Sequence, residues 1–198
     1  MGNSDKDDVV HNNKKFENIN YEGRILSNRV FSQCIFIKCS LKECFFDDSV
    51  FEDCTFEHCD ISLLKFKYTA FKNITLRNTK AVGIMWTEAE SPFSITASNS
   101  RLSYSSFYGK KLKKIRLTNC VADEVDFTEC DLTQGVFTGT DFRGATFSNT
   151  ILTKADFVGA LNYAIDTKTN KLTGAKFSLP EALSFLYGLG IELVDPIA

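Results

Sequence analysis

The sequence predicts an all-β fold, a solenoid wound in square coils, and three observations carry that expectation. A large apolar residue recurs at nearly every fifth position over Phe16, Tyr21, Leu26, Phe31, Phe36, Leu41, Phe46, Phe51, Phe56, Ile61, Phe66, Phe71 and Leu76, followed by Ala81 and Trp86. The slot two residues before a centre holds all seven cysteines, Cys34, Cys39, Cys44, Cys54 and Cys59 in this run and Cys120 and Cys130 before Ala122 and Leu132 in a second run, and otherwise mostly small residues. Charge avoids both slots: fourteen charged residues lie between Phe31 and Trp86, and none falls on a centre or two before one. A period of five fits neither the helical repeat nor the two-residue repeat of a strand. A short internal repeat of this kind builds a solenoid. Because an unpaired buried charge is costly, the two charge-free slots face a dry interior and the other three face water. Two inward residues in five, with tight corners between, describe one side of a square coil.

The elements follow in chain order. Residues 1–15 (MGNSDKDDVVHNNKK) are polar, lack the apolar centre of a secretory signal, and are expected to be a disordered leader. The chain opens Met-Gly but carries Lys6 where a myristoylation signal wants Ser or Thr, so no lipid anchor is expected. Residues 16–177 form the solenoid. A break over 81–96 (AVGIMWTEAESPFSIT), with Gly83, a polar loop and Pro92, absorbs a phase slip of one residue, and Trp86 serves there as a core ring. A second run then continues through Ala97, Leu102, Phe107, Leu112, Leu117, Ala122, Phe127, Leu132, Phe137, Phe142, Phe147, Leu152 and Phe157. A polar loop at 162–171 leaves Leu172 and Phe177 in register. Lys110, the first residue of the basic stretch Lys110–Lys114 beside Arg116, falls on an inward slot, from which a corner bulge is expected to release its ammonium; the stretch reads as a solvated face.

Residues 178–198 are expected to form a short capping helix and tail. Ser178 and Glu181 make a capping box, Pro180 sits in the first turn, and Gly188 can end the helix. Leu183, Leu186, Leu189, Ile191 and Leu193 supply more apolar surface than the end of a square coil needs. An open sheet edge must also be hidden, so this end is expected to join two copies in an isologous homodimer.

The units CSLKE, CTFEH, CDISL, CDLTQ, TDFRG, ATFSN and ADFVG resemble pentapeptide repeats, in which a small residue precedes Asp or Asn, then Leu or Phe, then two polar residues. The resemblance implies a right-handed quadrilateral parallel β-helix with four pentapeptides per turn and turns about 4.8 Å apart. Residue i then stacks on i+20. That rule puts aromatic on aromatic in the columns Phe31, Phe51, Phe71 and Phe107, Phe127, Phe147, and sets Phe56 between Phe36 and Leu76. It also lays Asp47, Glu52 and Glu57 beside Lys67, Lys72 and Arg77, and Lys111 and Asp123 beside Asp131 and Arg143. Such exposed pairs mark register more than they stabilise, at under about 1 kcal/mol each.

Composition bounds the function. With 43% hydrophobic residues in 198, the chain can bury one continuous core, and no apolar run approaches the roughly 18 residues that span a bilayer. A formal net charge of −2 gives no general drive toward nucleic acid, so neither direct nucleic-acid binding nor membrane contact is expected, and the location is expected to be cytoplasmic. The cysteines point inward from successive walls and cannot easily converge on zinc, so free buried thiols are expected, with no metal and no cofactor. The two histidines, His11 in the leader and His58 on an outward slot, have no nucleophile aimed at them, and no phosphate loop or dinucleotide fingerprint occurs. The chain is therefore expected not to be an enzyme.

The two stacks, the central break and the helix with its LGIELV tail are similar to the topoisomerase-protecting pentapeptide proteins of the Qnr, MfpA and McbG type. That resemblance implies a DNA-mimicking protein that binds DNA gyrase or topoisomerase IV, two type II topoisomerases, and modulates it or shields it from quinolone-like poisons. The alternative is a scaffold for an unrelated protein partner. Residues 43–60 and 123–141 carry acidic residues and no Lys or Arg, and the candidate partner-binding carboxylates are Asp48, Asp53 and Asp60 in the lower row and Glu124, Asp126 and Glu129 in the upper one.

Overall fold

A computed structural model of the protein describes residues 8–187 and 194. Their inward side chains are those the five-residue period marks: the centres and the slots two before them are buried through most of the chain. The residue two after each centre turns the corner in the left-handed region, as at Asn28, Asn73 and Asn119, where φ is 54°, 51° and 52°. Asn tolerates that conformation better than most residues, which explains its frequency at the corners.

Successive sides stack into four flat faces, and the chain climbs as a parallel β-solenoid of about eight coils. The first face begins with the strands Val9–Asn12, Arg29–Ser32, Val50–Glu52 and Ala70–Lys72, paired in parallel with Phe31, Phe51 and Phe71 in one column. On the second face the column runs Phe16, Phe36, Phe56, Leu76, Ala97 and Leu117. The third is held by single bridges from Asn20↔Ser40 to Asp141↔Leu161. The fourth starts with Ile25–Ser27, Phe45–Asp47 and Lys65–Lys67 and continues through Met85↔Ser106, Ser106↔Asp126 and Asp126↔Thr146. The core is a set of ring stacks, with centroids 4.7 Å apart for Phe36 and Phe56 and 5.4 Å for Phe107 and Phe127.

The small slot is more than filler. Cys54 Sγ donates to the carbonyls of Glu52 and, one coil below, Phe31, both at 3.4 Å. Thr79 Oγ1 does the same to Arg77 at 2.9 Å and Phe56 at 3.0 Å. A short donor at this slot therefore ties each coil to the one beneath, which accounts for the interchange of Cys, Ser and Thr there. All seven cysteines are buried and free.

Four expectations change in detail. Of the expected leader, Val9–Asn12 is not disordered, because it pairs with Arg29–Ser32 and belongs to the first coil; His11 stacks on Phe31 at 4.9 Å. Residues 1–7 lie outside the described residues. The break is narrower than 81–96: Ala70 still pairs with Glu90, twenty on, whereas Ile74 pairs with Ile95, twenty-one on, so the extra residue lies between Glu90 and Ile95. Trp86 is fully buried and meets Phe71 edge-on at 5.4 Å. The capping box does not form, because Ser178 Oγ accepts from Gly159 N and Glu181 Oε2 from Asn162 N, both reaching back to the preceding coil. A 3-10 turn, Glu181–Leu183, leads instead into Ser184–Tyr187, and Phe185 covers the last coil by packing on Phe177 at 4.7 Å. Finally, Lys110 does not escape through a bulge: its ammonium donates to the Ala89 carbonyl and sits 5.4 Å from the Phe93 ring centre, with burial lowering its pKa.

Candidate protein-binding face

With rings filling the interior, side chains available to a partner are those at the outward slots and corners. The six acidic candidates do not share one face. Asp53 stands on the edge between the first and second faces, where it accepts from Asn73 Nδ2 at 3.0 Å. Asp60 belongs to the third face, turned back onto Ser62 N at 3.0 Å. The other four meet on the fourth: Glu124 and Glu129 flank it on its two edges in one coil, Asp126 lies between them, and Asp48 is on the same edge as Glu129 further down. Asp126 accepts from Thr128 N at 2.9 Å and from Ser106 Oγ at 3.2 Å, which fixes its carboxylate in place. Glu129 and the Tyr108 hydroxyl share a hydrogen bond that raises the phenol's pKa.

Charge is arranged in belts around the rod. Above the acidic stretch 43–60, residues 61–80 carry Lys65, Lys67, Lys72, Arg77 and Lys80 with no acid; above them, 91–122 carry six cations with none, before the acidic stretch 123–141. Since a coil takes about twenty residues, each run of like charge encircles the solenoid and meets the opposite sign above or below. The expected register is seen in the pairs Asp47↔Lys67 and Glu57↔Arg77. Of the five expected ladder pairs only Glu52 with Lys72, at 3.9 Å, closes to an ion pair; Asp131 takes Lys113 instead of Lys111, and Arg143 takes Asp141 instead of Asp123.

Sequence reasoning missed an apolar patch on the middle of the fourth face. Leu63, Tyr68, Met85, Tyr104 and Tyr108 are 42%, 62%, 47%, 62% and 45% exposed. The detectable signal, at Leu63, Tyr68 and Tyr104, was a large side chain at corner slots otherwise given to Asn, Gln, Gly, His or charged residues. Beside Tyr108 the inserted residue opens a cleft of about 760 Å³ lined by Thr87, Ser91, Pro92, Phe93, Gly109, Lys110 and Lys111. At the lower end of the solenoid a recess of about 220 Å³ lies among His11, Phe16, Tyr21 and Leu26. Burial, with Lys14 and Arg29 nearby, lowers the pKa of His11. His58 is on an outward corner, 3.9 Å from Glu57. Among the described residues no three His, Cys, Asp or Glu side chains gather as a metal site, and no helix is long and apolar enough to cross a membrane.

Among curated proteins no sequence matches the chain. Solved structures do. Two trypsin-treated variants of QnrB1, a plasmid-mediated fluoroquinolone resistance protein, align over 94% of this chain and 98% and 100% of theirs, at 23% and 20% identity with TM-scores of 0.53 and 0.57. HetL, a pentapeptide repeat protein involved in heterocyst differentiation regulation in the cyanobacterium Nostoc, aligns over 85% of this chain and 86% of its own, at 16% identity and a TM-score of 0.51. These likenesses are of fold. A model of the pentapeptide repeat region matches residues 29–92, and one of pentapeptide repeats in eight copies matches 100–139 and 136–161, together well over half the chain. With the five-residue burial period and coils that stack in register, these matches make the chain a member of the pentapeptide repeat family.

Proposed function

We propose that this protein is a non-enzymatic, cytoplasmic rod that acts by binding another protein along its fourth face, and that the partner is a type II topoisomerase, DNA gyrase or topoisomerase IV. One observation carries the reading: Glu124, Asp126 and Glu129 lie across a single coil of one flat face, with Asp48 on the same edge below. The fold shared with QnrB1, a fluoroquinolone resistance protein, supports it. DNA-like contact is confined to this region. A duplex carries one charge per roughly 1.7 Å of axis, whereas Asp48, Glu88 and Glu129 recur on that edge at alternate coils, about 10 Å apart at strand spacing. The protein is proposed to work as a homodimer joined at its C-terminal ends. Leu183 is exposed there and Leu186 half-buried; Leu189, Ile191 and Leu193 lie outside the described residues.

The test is a titration of the protein into gyrase supercoiling reactions at several salt concentrations, with and without a fluoroquinolone. The native protein should alter supercoiling or relieve the drug, and salt should weaken the effect because exposed charges are screened. Glu124→Gln, Asp126→Asn and Glu129→Gln together should abolish it. Asp53→Asn with Asp60→Asn, on other faces, should leave it intact. Equal loss from both sets, or no effect of the native protein at tens of micromolar, rejects the topoisomerase reading. A second reading, a scaffold for an unrelated partner, is favoured by the charge belts, since Lys65 and Lys67 interrupt the acid along the fourth face.

A further inference from the structure

We propose that the middle of the fourth face is the contact surface for a folded protein partner, anchored by Leu63, Tyr68, Met85, Tyr104 and Tyr108. That partner presents an apolar strip with cationic side chains where it meets Glu124, Asp126 and Glu129. The proposal rests on the protein-binding reading above and assigns the side chains that carry it.

Among the described non-glycine residues with positive φ, Leu63, Tyr68 and Tyr104 (57°, 48° and 58°) are the only Leu or Tyr; the rest are Asn, Asp, Glu, Gln, Lys and His. A bulky residue in the left-handed region is strained, and Asn or Gly serves the corner better. These three side chains do not recover that strain by burial, since each is exposed. Nor are they scattered: Leu63 and Tyr104 stand on the edge between the third and fourth faces and Tyr68 on the edge between the fourth and first. Met85 and Tyr108, exposed on outward slots, fill the face between them. Strain that the fold does not need, concentrated on one exposed patch, points to use by a partner.

Stacking makes the patch continuous. Leu63 N donates to Val82 O, Gly83 N to Ser103 O and Tyr104 N to Asp123 O, so Leu63, Gly83, Tyr104 and Glu124 follow one another up the edge. Gly83 has no side chain to interrupt them, and a Cβ there would come within 2.7 Å of Leu63 Cδ2. Tyrosine and methionine suit such a site. They offer large amphipathic area, and tyrosine loses little rotamer freedom when it is fixed in a contact.

Charge selects the occupant. The patch is bordered above by Glu124, Asp126 and Glu129, which repel nucleic-acid phosphate and anionic lipid alike. In its lowest coil Lys65 and Lys67 lie between Leu63 and Tyr68, and the Lys67 ammonium is 4.7 Å from the Tyr68 ring centre. These lysines and the acidic row are three coils apart, about 14 Å at strand spacing. A protein with cations at one end of an apolar strip and carboxylates at the other meets both, in one orientation.

The test replaces Leu63, Tyr68 and Tyr104 with Asn, the residue other corners use. The triple variant Leu63→Asn, Tyr68→Asn, Tyr104→Asn should keep its circular dichroism and melt at the native temperature or above it. Its affinity for immobilised gyrase holoenzyme should fall at least about tenfold, the loss of more than one anchor. A drop in melting temperature beyond about 3 °C means that the side chains serve the fold and overturns the proposal. So does unchanged gyrase binding by a stable variant. If the native protein fails to bind gyrase, the topoisomerase reading falls and the melting result alone decides the patch: a midpoint held or raised supports it, a lowered one overturns it. Should light scattering show that the substitutions turn a native dimer into monomers, the patch is covered by a second copy and the separate partner is refuted.

Discussion

Replacing Phe51 with Ala probes the axial ring stack at a ring with stacked partners on both sides. Phe51 is fully buried between Phe31, 4.8 Å away and tilted by 15°, and Phe71, 5.1 Å away and tilted by 3°, and Phe46 meets it edge-on at 4.9 Å. Truncation removes the ring's burial and leaves a void. The coils above and below are fixed by in-register backbone pairing and cannot close on it. Deletions of this kind cost about 3–5 kcal/mol, and loss of two stacked partners places Phe51 at the upper end. Phe16 is a matched control in the first coil: it stacks on Phe36 at 4.8 Å, has no ring stacked beneath it among the described residues, and lines the recess at the lower end. In a solenoid each coil depends on its neighbours, so Phe16→Ala should cost about 1–2 kcal/mol. Urea unfolding followed by far-ultraviolet circular dichroism, at constant m, measures both. For a chain of this length the Phe51 loss corresponds to roughly 10–20 °C in melting temperature. A loss below about 1 kcal/mol at Phe51, or equal losses at the two positions, refutes the stack as the principal source of stability.

Burial pushes the thiols of Cys54 and Cys130 from 9.0 up to about 12, and those of Cys59 and Cys120 up to about 11. The unfolded chain therefore loses these protons first, so stability should be full below pH 9 and fall as pH rises from there toward 12. Urea midpoints at pH 8 and pH 10 measure this, and Cys54→Ala with Cys130→Ala should flatten the slope; a slope unchanged by the pair would place the alkaline loss elsewhere. At the C-terminal end, Leu183→Asp should convert a native dimer to a monomer by light scattering, since Leu183 is exposed on the capping turn. A native protein that is already monomeric, or a variant that stays dimeric, contradicts end-to-end pairing.

The interior was legible because burial enforces it at every coil. A charge on an inward slot is so unfavourable that the two-in-five pattern had to appear in the sequence, and the column Phe31, Phe51, Phe71 could be read from arithmetic alone. Lys110 is the instructive exception. It occupies an inward slot yet finds the Ala89 carbonyl and the face of Phe93, because the residue inserted after Glu90 displaces the wall that would have excluded it. The ends were less legible for a different reason. Ser178 and Glu181 have the spacing of a helix cap, but open backbone donors of the preceding coil, Gly159 N and Asn162 N, compete for their oxygens and win.

The binding face was the least legible part, and the geometry says why. Asp48, Asp53 and Asp60 are near one another in the chain, yet a coil turns a corner every five residues, so the three end on two different edges and a separate face. A linear run of like charge thus becomes a belt, and belts of alternating sign hold register without giving the rod an acidic side. What a partner meets along a face is instead set by residues a coil apart. Read that way, the edge shared by the fourth and first faces runs Asp48, Tyr68, Glu88, Gly109, Glu129, and the opposite edge runs Glu43, Leu63, Gly83, Tyr104, Glu124. Across these five coils each has a carboxylate at both ends and a large apolar side chain between. That sequence of groups is a poor copy of a phosphate backbone and a good description of a protein contact, with aromatic anchors inside a charged rim.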